Sequence, residues 1–144
     1  MILLDTNVLS ELMKSTPETK VLHWMDALPA SEYSVCAISK AEIQLGIALL
    51  PDGKRKVDLE KAATLMFAEF PNRYLSFDSN AASQYAIIVA ERTRIGRPVS
   101  VEDAQIAAIA VKHGIALATR NTKDFEFIAG LTLINPWLPA RSVD

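Results

Sequence analysis

The chain has 144 residues, half of them apolar and 22% charged, with a formal net charge of −2. That suits a single domain with its own core and excludes a disordered chain; with a pI near 5.7, bulk charge marks no nucleic-acid binder, and an anionic ligand would have to be met by local cations. One cysteine, Cys36, excludes an internal disulfide and fits a reducing compartment, while the absence of a secretory pattern or of any apolar run near the ~18 residues that cross a membrane reads as a cytoplasmic protein.

The first seven residues, MILLDTN, run four apolar side chains straight into Asp5. A short apolar run bounded by Asp-Thr-Asn reads as a buried parallel strand ending at a carboxylate. Thr6 to Met13 continues as a short helix, with Val8, Leu9, Leu12 and Met13 at helical spacing. Pro17 opens a second amphipathic helix, carrying Val21, Trp24, Met25 and Leu28 and stopped near Pro29. Glu32 to Ala37 alternates and reads as a strand. Ser39 then opens a helix through Leu50, and Pro51-Asp52-Gly53 is a turn. Asp58 to Phe70 is a helix, Tyr74 to Phe77 a short strand, and Ser79 to Ile95 a long helix stopped by Gly96. Ser100 to His113 is another helix, stopped by Gly114; Ile115 to Thr119 and Leu131 to Ile134 are the last strands, before Pro136-Trp137.

Strands alternating with helices predict an α/β fold: a central parallel sheet flanked by helices on both faces. No repeat, low-complexity tract or linker divides the sequence, so one domain is expected over residues 1–144, with its core to about residue 135 and a tail over 136–144. In such a fold a crossover helix runs back against the strands, which puts its N-terminus at their carboxyl edge. Asp5 ends strand one, Glu42 and Asp103 are expected in the first turns of helices, and Arg120, Asn121 and Asp124 directly follow a strand. Topology therefore gathers these segments at the edge where open α/β sheets carry their chemistry.

Two carboxylates ~4 Å apart repel by ~4 kcal/mol at an effective dielectric near 20, so a cluster of them calls for a proton or a cation. Oxygen ligands without His or Cys select hard cations, Mg²⁺ or Mn²⁺, which can polarise a phosphoryl oxygen, activate water and orient an in-line attack. Thr119 and Asn121 can orient the carboxylates, and Arg120 can hold a phosphate by a forked contact. Lys54-Arg55-Lys56 is the basic run available to RNA, although such a run more often forms a solvated loop. A purely structural reading also exists: Ser39 to Glu42 and Ser100 to Asp103 both fit the capping-box pattern, and Asp5 suits an N-cap. His23 and His113 have no partner at metal-ligand spacing, and Trp24 and Trp137 read as packing aromatics.

MILLDTNVLSE, ISKAEIQLGI around Glu42, VEDAQIAAIA around Asp103, and LATRNTKDF followed by NPW together resemble the PIN-domain family, and within it the VapC and FitB-type toxins of bacterial toxin–antitoxin pairs. The resemblance runs through nearly the whole chain. It implies a Mg²⁺- or Mn²⁺-dependent endoribonuclease. Asp5 and Asp103 match the direct metal ligands, Glu42 the position holding a second ion or its water, and Thr6 the hydroxyl beside the first Asp. For the fourth acidic position the resemblance leaves two options, since some relatives carry an acid at the Asn121 position and others three residues later; the second pattern assigns it to Asp124, with Asn121 as polar supporter. Implied partners are an RNA substrate, a VapB- or FitA-like antitoxin, a homodimer or larger assembly, and DNA only through the antitoxin. Val8, Leu12, Val21, Trp24 and Ile47 are candidates for the antitoxin groove, with core packing as the alternative. A binding module whose acidic pocket receives an antitoxin Arg, inside a regulatory complex with little nuclease activity, is the competing function. A phosphatase is disfavoured because Asn7 stands where a second Asp is needed.

Overall fold

The computed structural model describes residues 1–138. In chain order the elements are β1 (Ile2–Leu4), α1 (Thr6–Leu12), α2 (Thr19–Asp26), β2 (Tyr33–Cys36), α3 (Ala37–Ala48), α4 (Lys54–Ala68), β3 (Tyr74–Leu75), α5 (Ser79–Arg94), α6 (Val101–His113), β4 (Ala116–Ala118) and β5 (Leu133–Ile134). Short 3-10 turns at Ala30–Glu32 and Thr122–Phe125 precede β2 and follow β4.

All pairings are parallel, in the order β3-β2-β1-β4-β5. β1 lies at the centre, with Leu3 opposite Ser34 on one side and Leu117 on the other. Its ladder with β4 extends one residue further, because the Asp5 amide donates to the Ala118 carbonyl at 2.9 Å. The pleat sends successive side chains to opposite faces. Leu3, Cys36 and Leu117 pack under α5 and α6, whereas Leu4, Val35 and Ala118 pack against α1, α3 and α4. Helices therefore cover both faces, as the sequence predicts.

Coverage on both faces also corrects the alternation expected of β2. Tyr33, Ser34, Val35 and Cys36 are all buried, as a strand inside a three-layer sandwich requires. Several helix starts differ from expectation. α3 begins at Ala37 rather than Ser39, directly out of β2, so Ser39 lies inside the helix and caps nothing. Glu42 is thereby moved from the first turn into the second. α4 begins at Lys54, four residues before Asp58, and Lys54-Arg55-Lys56 form its first turn instead of a loop.

Of the expected tail, Pro136 is buried and Trp137 packs against the α1-side core, while residues 139–144 lie outside the described residues. Among the described residues no helix is long and apolar enough to cross a membrane.

Candidate active site at the carboxyl edge of the sheet

Asp5 is the last residue of the central strand's ladder and the N-cap of α1. It is only 4% exposed, and every bond it accepts holds it in place. Its Oδ1 accepts from the Thr6 amide at 2.8 Å. Its Oδ2 accepts from Thr119 Oγ1 at 2.8 Å and from Asn7 Nδ2 at 3.2 Å. Asn7 also donates to Thr119 Oγ1 at 3.1 Å and accepts from the Arg120 amide at 3.0 Å, so it ties the ends of β1 and β4 together. The cap and the carboxylate's place at the end of the ladder are thus the same geometry.

Glu42 reaches the site from α3. Thr6 Oγ1 lies 3.0 Å from Glu42 Oε1 and 2.9 Å from Ser39 Oγ, and the Cys36 thiol lies 3.6 Å from that same Ser39 oxygen. A hydroxyl has one proton, and the carboxylate is the stronger acceptor. The chain of donors therefore runs from Cys36 to Ser39 to Thr6 to Glu42. Asp103 comes from the first turn of α6, whose N-cap Ser100 accepts from the Asp103 amide at 3.2 Å; this capping reading holds where the Ser39 one does not.

Asp5, Glu42 and Asp103 line one cavity of about 400 Å³, with Thr6, Arg120 and Asn121 in its walls. Burial pushes all three carboxyls above the ordinary carboxylate range. Repulsion adds to it: Glu42 acts on Asp5, Asp103 and Glu102 on Glu42, and Asp5, Asp124 and Glu102 on Asp103. Asp124, on the 3-10 turn after β4, is exposed and stands outside the cavity wall, yet close enough to raise Asp103. Asn121 is the residue of that segment in the wall.

Among the described residues no three Asp, Glu, His or Cys side chains stand close enough to enclose one ion by themselves. The all-oxygen donor set is nevertheless suited to Mg²⁺, which is held by one or two carboxylates and keeps several waters. Asp5, Glu42 and Asp103, all in the cavity wall, are the carboxylates that could supply such a pair.

Of the cations the sequence offers to RNA, only Arg120 lines this acidic cavity. Arg120 is exposed and stacks 5.1 Å over the Trp137 ring, which gives Trp137 a place in the cavity wall that the sequence does not suggest. Lys54 pairs with Asp58 at 2.6 Å and Lys56 with Asp52 at 3.6 Å. Arg55 lines an adjoining cavity instead. His23 and His113 are exposed and belong to neither cavity.

Besides Trp137, three residues tied into this network or its supports escape the sequence reading. Asn7 is one, although Asp-Thr-Asn at a strand end is the signal for it. Ser39 is another, and the third is Arg92 of α5. Arg92 is 5% exposed and donates to the carbonyls of Arg97, Asp124 and Glu126 at 2.7, 3.0 and 2.8 Å. It clasps the turn bearing Asp124 to the loop that leads into α6. Its place one helical turn after buried Ile88 was the available clue.

A separate apolar groove of about 490 Å³ runs between α1, α2 and α4, walled by Leu12, Leu22, Met25, Leu65 and Phe70. Of the groove candidates, Leu12 lines it. Val8, Val21 and Ile47 are buried in the core, and Trp24 is half-buried against Tyr33 with ring centroids 5.4 Å apart.

A parallel sheet of this order with acids gathered at its carboxyl edge defines a class. The PIN domain family model matches residues 2–131, and the chain belongs to the PIN-domain family, among its VapC/FitB-type members. The plasmid stability protein StbB of Pseudomonas syringae pv. tomato is 46% identical over 141 residues, covering 95% of this chain and 99% of that one. The VapC ribonuclease Y4jK of Sinorhizobium fredii is 42% identical over 141 residues, covering 97% and 100%. Among solved structures, FitAB bound to an IR36 DNA fragment contains a chain that superposes with a TM-score of 0.88 at 39% identity, covering 98% of this chain and 99% of that one.

Proposed function

We propose that this chain is a Mg²⁺- or Mn²⁺-dependent endoribonuclease, the toxin of a toxin–antitoxin pair. The observation that carries the proposal is the convergence of Asp5, Glu42 and Asp103, from β1, α3 and α6, on one cavity where each is held above the ordinary carboxylate range. Such a pocket favours a divalent cation over three bare charges. The kinship with a protein named VapC ribonuclease points to RNA as the polymer.

In this reading Asp5 and Asp103 hold the ion, which supplies neutralisation of the acids, polarisation of a phosphoryl oxygen and acidification of water. The protein's own task is orientation. Thr119, Asn7 and the Thr6 amide fix Asp5, Thr6 fixes Glu42, and the Ser100 cap fixes the start of α6. Glu42 accepts a proton from the attacking water or positions that water. Arg120, exposed at the rim, contacts a phosphate. Asp124 acts from outside the wall on Asp103, and Asn121 and Thr119 support the pocket. The first turn of α4 offers Arg55, with Lys54 and Lys56 beside it, to the RNA backbone.

Asp5→Asn and Asp103→Asn each lower cleavage of single-stranded RNA by at least about 10²-fold, with circular dichroism unchanged; full activity in either purified variant removes the metal role. The apolar groove between α1, α2 and α4 is the seat for an antitoxin helix. A second reading, a regulatory module bound to DNA through its antitoxin, is favoured by kinship with a complex solved on DNA. Growth arrest on expression of this chain alone separates the two, since only the enzyme produces it.

A further inference from the structure

The acidic cavity is not isolated. A second cavity of about 400 Å³, between α1, α3 and α4, shares Thr6, Ser10, Lys14 and Glu42 with it. Its remaining walls are apolar: Met13, Ile43, Ile47, Leu50 and Leu59. Arg55 stands in the same wall, and among the described residues it forms no ion pair, unlike Lys54 and Lys56 on either side. Gly46 also lines this cavity, in the interior of α3. Glycine inside a helix is destabilising relative to alanine. A Cβ added at Gly46 would have nothing within 4 Å, so nothing within this chain requires a glycine there. At Gly46 the helix therefore presents bare backbone to the open space of the cavity.

We infer that this cavity is a nucleoside subsite: one unstacked base of single-stranded RNA, adjoining the bond cut at the acidic centre, lodges between Gly46, Leu50 and Leu59 with its phosphate toward Arg55. The inference rests on the ribonuclease reading and adds which part of the substrate lies beyond Glu42. Several observations favour this occupant. Pockets for small ligands are mostly apolar with a few polar groups, and this volume is within their range. A cation with no carboxylate partner answers a phosphate, whereas an apolar protein side chain would leave Arg55 unanswered. The hydroxyls of Thr6 and Ser10 lie on the side shared with the acidic cavity, where a base edge or a 2′-hydroxyl would meet them. The carboxylates repel phosphate, so a strand crossing that centre needs an attractive seat next to it.

The test uses the full chain and short RNA oligonucleotides carrying one abasic nucleotide at successive positions around the cleaved bond. In the wild type, one abasic position raises KM by about tenfold, the scale of a single lost base contact. Gly46→Leu fills the space, raises KM on intact RNA, and no longer distinguishes the abasic from the intact oligonucleotide. Gly46→Ala, adding one methyl group to the same wall, folds and raises KM on intact RNA by less than Gly46→Leu does. Arg55→Gln raises KM on every oligonucleotide. A flat abasic scan, or wild-type KM in both Gly46→Leu and Arg55→Gln, overturns the subsite while leaving the ribonuclease reading intact. If the wild type cuts no RNA, that reading fails and the cavity is decided by amide NMR. Shifts at Gly46, Ile47 and Leu50 on titration with uridine or adenosine monophosphate support the subsite, and their absence overturns it.

Discussion

Asp5 ends a strand ladder, caps a helix and faces a cavity with the same carboxylate. Thr119, Thr6 and Asn7 stabilise its charged form, but burial outweighs them and raises it. Glu42 and Asp103 are raised as well, by burial first and by neighbouring acids after it. The sign of the consequence follows. A carboxyl raised in the folded state binds its proton more tightly there than in the unfolded chain. Its contribution therefore erodes as pH climbs from the ordinary carboxylate range through the raised folded values. Metal-free protein loses stability across that window, and Asp103→Asn or Glu42→Gln flattens the loss, measured as Tm against pH. Mg²⁺ or Mn²⁺ raises Tm by more at pH 7.5 than at pH 5, because at the lower pH protons compete for the same oxygens; a Tm indifferent to both ions contradicts a metal site. At this scale the sequence was legible where an acid abuts a strand end, as Asp5 does. Asn7 is harder to read, because a residue that crosslinks two chain ends shows no periodicity, only adjacency.

Helix ends decide where the other carboxylates stand. Ser100 caps α6 and Gly114 closes it with φ +64°, a left-handed turn that glycine adopts without strain. Both punctuation marks were readable in the sequence, and so was the place of Asp103. α3 carries no such mark: its N-cap is Cys36, with no side-chain cap bond, because β2 runs straight into it. Ser39 drew the expected boundary two residues late, and its hydroxyl serves Thr6 instead. α4 misled in a related way, since three cations at the positive end of a helix oppose its dipole and look like loop. Ser100→Ala costs about 1 kcal/mol of stability, the value of an N-cap, and lowers activity with it, measured by denaturant unfolding alongside cleavage. Arg92→Met fits the volume but leaves the carbonyls of Asp124 and Glu126 without their donor. It costs about 3 kcal/mol and releases the segment that carries Asp124. A loss below 1 kcal/mol would show the clasp to be dispensable.

Across the whole molecule, two cores lie either side of one sheet, and the acidic cavity draws its walls from both sides. The α5–α6 core carries Asp103, while the α1–α4 side carries the acidic cavity's other walls and the apolar groove. Leu65 is 71% exposed on the wall of that groove. Under the toxin–antitoxin proposal, Leu65→Glu weakens binding of the antitoxin helix by at least tenfold, a central apolar anchor being worth about 2 kcal/mol. Its Tm stays as in the parent, and calorimetric titration reads the difference. The alternation of strands and helices was enough to place this sheet; the groove was legible in part, since Leu12 lines it, whereas Val8 and Val21, which fit its pattern, are consumed by the core beneath it.

The outermost strands, β3 and β5, pair over only two residues each. A border that brief offers a foreign backbone almost nothing to zip onto, which guards a parallel sheet against runaway stacking into fibrils. Companions of this chain are thereby left to recognise it through side chains and not by adding a strand, and mutations that lengthen either border would be expected to trade fidelity for clumping.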